Sequence, residues 1–96
     1  MNLATFLATL SAPHPPDGLP ALLAAMWWES HGDWNRAHQI AQDVESRDGA
    51  WVHAYLHRKE GNAANAAYWY RFAGHPVSTA SFADEWTSIV THLLAD

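Results

Sequence analysis

Histidines set at helical spacing are the residues most able to do chemistry here. His53 and His57 stand four apart in Trp51-Val-His-Ala-Tyr-Leu-His-Arg58, and Glu60 follows three later. On a helix these positions share one face. His38 and Gln42 have the same spacing just upstream. If the chain folds back at Arg47-Asp48, His38 comes level with His57 and Gln42 with His53. A polar layer of His38, Gln42, His53 and His57 is therefore expected, flanked by Trp34 and Glu60.

Such a layer allows three kinds of chemistry. The plainest is a structural hydrogen-bond network, since buried polar side chains are nearly always paired. The second is recognition, with the imidazoles joined by Arg58, Asn65, Tyr68, Trp69 and Arg71 in contact with a peptide or a small ligand; arginine and aromatic rings suit such surfaces. Asn65 is expected level with Arg58 across the Gly61-Asn62 turn. The third is a histidine-centred metal or acid–base site at His38, His53 and His57, with Glu60 as a further metal ligand. His-x-x-x-His suits zinc, but Ala54 stands where a zinc-protease helix carries its glutamate. The Glu-x-x-His pairs of two-iron bundles are missing as well.

Other chemistries lack their signatures. There is no cysteine, hence no disulfide framework, thiolate site or cysteine nucleophile. Gly-rich phosphate loops and serine elbows are missing, and Asp84 and Glu85, being adjacent, face different ways on a helix. The expectation is a small cytoplasmic binding or interaction module with no cofactor, ahead of a catalyst. A net charge of −5 with neutral histidines argues against nucleic acid as partner. No stretch approaches the roughly 20 apolar residues of a membrane span, and Leu3–Leu10 lacks the basic residues of a signal peptide. Tyr68-Trp69-Tyr70 cannot all face one core, nor can Trp27-Trp28; such exposed rings make a homodimer one expectation. His14, His31, His75 and His92 read as ordinary surface histidines.

The elements that must position these groups are helices. The 96 residues make one small domain, and six tryptophans, three tyrosines and three phenylalanines supply the bulk of a core. Residues 1–11 hold a first helix capped by Asn2. The proline-rich stretch 12–18 is a connector. Residues 19–77 form two helical hairpins: one helix to about His31, a second from Trp34 to about Glu45, a third from Ala50 to Glu60 after a turn at 46–49, and a fourth from Asn62 to Ala73. A last helix occupies 78–96, capped by Ser78 or Ser81, with Phe82, Trp86, Ile89, Val90 and Leu93 along one stripe. Nothing alternates with a period of two. The fold class expected is all-α, with five to six short antiparallel helices.

An offset of 29 residues aligns Ala25 with Ala54, Gly32 with Gly61, Asp33 with Asn62 and Ala37 with Ala66. Small residues let two helices approach, and the Gly-Asp/Asn pair turns the chain between them. The spacing resembles the tetratricopeptide pattern. Ala54, Gly61, Ala66, Tyr70, Ala73 and Pro76 carry the resemblance in the second unit; Ala25, Trp28, Gly32 and Ala37 carry it in the first. With a shorter period than the usual 34 or so residues, it implies a compact domain of tetratricopeptide-like hairpins, not a long array. The wording AWVHAYLHRKEG and NAAYWYRFAG is also similar to a small family of uncharacterised bacterial helical proteins. That resemblance implies no activity.

Overall fold

The computed structural model describes residues 1–95, which form six helices with no strand among them. They are α1 (Leu3–Thr9), α2 (Ala21–Ser30), α3 (Trp34–Gln42), α4 (Arg47–Glu60), α5 (Ala63–Ala73) and α6 (Phe82–Leu94). The expected C-terminal segment 78–96 includes Asp96, which lies outside the described residues. No described helix is long and apolar enough to cross a membrane.

Side-chain caps fix most of the starts. Asn2, Asp33, Ser46, Asn62 and Ser81 each accept the backbone N–H three residues on, which satisfies one of a helix's orphan donors. Helix α2 starts later than the sequence suggests, at Ala21, because Pro20 sits at its cap without a side-chain bond. Gly61 and Gly74 end α4 and α5 with φ of 91° and 76°, a left-handed conformation that favours glycine.

One boundary moves the site. The segment 46–49 is not a turn: Ser46 caps α4, and Arg47, Asp48 and Gly49 are its first residues. Asp48 in the first turn also complements the helix dipole. Helix α3 stops at Gln42, before the expected Glu45. The short link between them lies tight on α4, since a Cβ at Gly49 would sit on the carbonyl oxygen of Val44.

Helix α4 is the hub. It packs most extensively on α5 and also touches α2, α3 and α6. Its apolar side, Val52, Tyr55 and Leu56, joins Phe6, Met26, Trp27, Ile89 and Val90 in the main core. Ala54 and Ala66 bring α5 close, with Tyr70 against them. Indole N–H groups fasten the helices across this core: Trp27 to the carbonyl of Thr9 (3.4 Å), Trp86 to Met26 (3.2 Å) and Trp34 to Leu56 (2.8 Å).

Helix α6 is held by a buried carboxylate. Glu85 is 3% exposed and accepts from three partners: Tyr70 Oη (2.6 Å), Trp51 Nε1 (3.2 Å) and the Arg58 guanidinium (2.9 and 3.0 Å). Burial, together with its bond to the Glu85 carboxylate, raises the Tyr70 phenol, so it stays a donor. Arg58 reaches on to the Ala80 carbonyl (2.9 Å) and lies over the Phe82 ring.

Two substitutions test this framework. Removing the Glu85 carboxylate strands a guanidinium, a phenol and an indole, so Glu85→Ala is expected to lower unfolding free energy by about 3–5 kcal/mol. A loss under about 1 kcal/mol in urea titration would show that the network is not the fastening of α6. Gly49→Ala gains about 1 kcal/mol of helix propensity, but overlap with a backbone oxygen costs more, so a net loss of about 1–3 kcal/mol is expected by the same assay. A stabilised variant would refute the close approach.

Candidate functional site

Helices α3 and α4 bring three histidines together. His38 Nε2 lies 2.9 Å from His53 Nε2. The His57 ring is 5.2 Å from the His38 ring and 4.8 Å from the His53 ring. One ring nitrogen from each histidine lies within 4.8 Å of the others. His53 and His57 are buried and His38 half-buried.

Each ring is held from outside the cluster. The Trp34 indole lies flat on His38, 4.8 Å away at 9°, and is itself tied to α4 through the Leu56 carbonyl. Trp69 of α5 lies flat on His53, 4.0 Å away at 18°. His57 Nδ1 donates to Glu60 Oε1 at 2.6 Å, which assigns its proton to Nδ1 and leaves Nε2 with a lone pair. The Asn65 amide approaches that Nε2 at 3.4 Å.

Burial favours the neutral form at two of the three rings, His38 and His53. Burial first, then the His38 and His57 imidazoles, pushes His53 down to about 4. Burial likewise lowers His38, helped by His57 and opposed by Glu60. Two facing imidazoles therefore share one N–H between their Nε2 atoms rather than repel as cations.

The pairing is shifted from the one expected. His38 meets His53 as well as His57, and Gln42 is exposed, with no side-chain hydrogen bond among the described residues. The early start of α4 explains the shift: Gln42 is the last residue of α3 and opens onto the α3–α4 link. Arg58 and Asn65 separate as well. Arg58 turns to Glu85 on α6, while Asn65 turns to His57. Arg71 and Tyr68 are exposed on α5, with Tyr68 edge-on to Trp69 at 5.1 Å. Glu60 stands behind His57, outside the three-nitrogen cluster.

Gln42, His53, Tyr68 and Trp69 meet again around a cleft of about 290 Å³, with Glu45, Ser46, Gly49 and Phe72. Sequence reasoning missed Glu45 and Phe72, because the first was assigned to α3 and the second carried no polar signal. The histidines set aside as surface residues are partly engaged: His75 stacks on Trp51 at 4.2 Å, His31 on Trp27 at 3.9 Å, and His92 meets Asp48 at 2.8 Å.

Comparison with protein families, curated proteins and solved structures finds no match to this chain.

Low pH tests the neutrality of His53. The unfolded chain takes up a proton at His53 near pH 6.5, whereas the folded chain does so near 4. Stability from this group is thus complete above pH 6.5 and is lost as pH falls toward 4, by about 3 kcal/mol at most. In chelator-treated protein, unfolding free energy is expected to fall less steeply across this window in His53→Gln than in wild type. Equal slopes would contradict a neutral buried His53.

Proposed function

We propose that this chain is a small binding module whose ligand site is the cleft between the α3–α4 link and α5. The observation that carries the reading is the composition of that cleft. It joins a buried neutral imidazole, His53, to the rings of Tyr68, Trp69 and Phe72, with Gln42 and Ser46 as polar groups and Glu45 as its one charged side chain. Its volume of about 290 Å³ lies at the lower end for small-molecule sites. Aromatic faces and a lone carboxylate favour a planar ligand that is neutral or cationic.

A larger cavity, about 560 Å³, opens between the 16–23 segment, Val44 and the end of α6. It is lined mainly by apolar side chains, with Asp17 as its single charged one. Binding sites combine an apolar surface with a few convergent polar groups that fix orientation, and this the smaller cleft offers. The tetratricopeptide-like hairpins inferred from Ala25, Gly32 and Ala37, and from Ala54, Gly61 and Ala66, suit a module of this kind. A chain without cysteine suits a reducing compartment, so the cytoplasm is the proposed setting.

Three probes that differ mainly in charge test the reading: indole, benzylammonium and benzoate. In titrations of untagged protein followed by NMR, indole and benzylammonium are expected to shift the Trp69 indole and the Ser46 and Gly49 amides saturably. Benzoate should bind about tenfold more weakly or worse, and Phe72→Ala should weaken the two favoured probes. No saturable shift from any probe, or shifts confined to residues 16–23, would remove the cleft as the ligand site.

A further inference from the structure

We propose that His38, His53 and His57 bind one zinc-type divalent transition-metal ion, with Glu60 as the residue that positions His57. The metal site does not depend on an organic ligand in the cleft, although His53 borders both.

The donor set comes first. Among the described residues, these three make the one cluster of histidines or carboxylates close enough to hold an ion. All three are imidazoles, with no thiolate and no oxygen donor in the cluster. Imidazole nitrogen suits zinc, cobalt, nickel and copper; calcium and magnesium demand oxygen.

Distance comes second. Zinc holds nitrogen at about 2.0–2.1 Å, so two tetrahedral ligands stand about 3.3 Å apart. His38 Nε2 and His53 Nε2 are 2.9 Å apart and need to part by a few tenths of an ångström. The widest pair is no more than 4.8 Å apart and needs to close by about 1.5 Å at most.

The surroundings come third, and they are independent of the spacing. A metal-bound histidine almost always donates its other N–H to a carboxylate or carbonyl, which fixes the tautomer and raises basicity. Glu60 does this to His57 Nδ1 at 2.6 Å, and the ion takes Nε2 in place of the Asn65 amide, which approaches it at 3.4 Å. Trp34 and Trp69 fix the planes of His38 and His53 by stacking. Three protein ligands leave a coordination position for water, as in zinc sites that are not purely structural.

The test uses untagged protein treated with chelator, titrated with Co²⁺ by visible absorption and with Zn²⁺ by calorimetry. One equivalent of Co²⁺ is expected, with the intense bands of a four- or five-coordinate ion, displaced by Zn²⁺. His38→Ala is expected to weaken binding at least about 100-fold. The position is half-buried, and His38→Asn, which keeps a polar group there, is expected to show the same loss if the alanine variant fails to fold. Glu60→Gln should weaken binding about 10–100-fold at unchanged stoichiometry. His92→Ala, on the far pair with Asp48, should bind like wild type. Less than half an equivalent bound, or His38 variants that bind as tightly as wild type, would overturn the proposal. Loss of cobalt binding with intact cleft-probe shifts, or the reverse in Phe72→Ala, separates the two sites.

Discussion

Helix α4 has almost no outward face, and the rest of the structure answers to that constraint. From Val52 to His57 every residue is buried. A helix so enclosed must find a partner inside the protein for each polar group it carries, because an unpaired buried charge or donor costs several kcal/mol. Each neighbour supplies one. Helix α3 gives His38 to His53, and α5 gives Asn65 to His57. Helix α6 gives Glu85 to Arg58, and α2 gives Glu29 to Lys59. The helices are therefore placed around α4 by polar partners as well as by the apolar core.

The two sides of α4 solve the problem differently. Toward α2 and α6 the partners are ionic, with buried carboxylates that also face phenols. Glu29 and Glu85 stand beside Tyr55 and Tyr70, whose hydroxyls are raised by burial and then by those carboxylates. Such pairs fasten elements: removing one partner strands the other. Toward α3 and α5 the groups are imidazoles, and at His38 and His53 burial disfavours the charge instead of matching it. On the ionic side Glu85 is engaged by three donors and Glu29 by Lys59. The imidazole side keeps basic nitrogen atoms that point at one another.

Much of this was legible in the sequence, and the losses have physical causes. Helical periodicity and cap residues pointed to an all-α chain of five to six helices, because both depend on neighbours along the chain. The spacing of His53 and His57 on one helix, with His38 on the preceding one, was enough to predict a layer. The register of that layer was not legible. It depends on where α4 begins, which is set by Ser46 as cap and by the approach of Gly49 to the Val44 carbonyl. A four-residue stretch with glycine looks like a turn until that tertiary contact is known. Glu85 escaped for a related reason. Adjacency to Asp84 shows only that the two face different ways, and packing with residues 15 to 34 positions away is what buries it. Arg58, a candidate for binding by its place beside the histidines, pairs with Glu85 27 positions away.

The histidines remain the part of α4 that the fold does not explain. Ala54 and Ala66 account for the close α4–α5 contact, and Glu85 accounts for α6. Well-packed apolar side chains of similar volume in place of a buried polar group are often neutral or stabilising, so a layer of leucine and methionine would serve packing as well. Imidazoles there bring a liability, since stability falls as they protonate. Departures from local consistency without a structural return concentrate at functional sites. Here the departure is specific: three imidazoles facing one another, two planes clamped by indoles, one tautomer set by a carboxylate, and an aromatic cleft along one edge. Hydrogen bonding alone requires none of the last three features, whereas a ligand held at those nitrogens is favoured by donors whose planes and tautomers are already set.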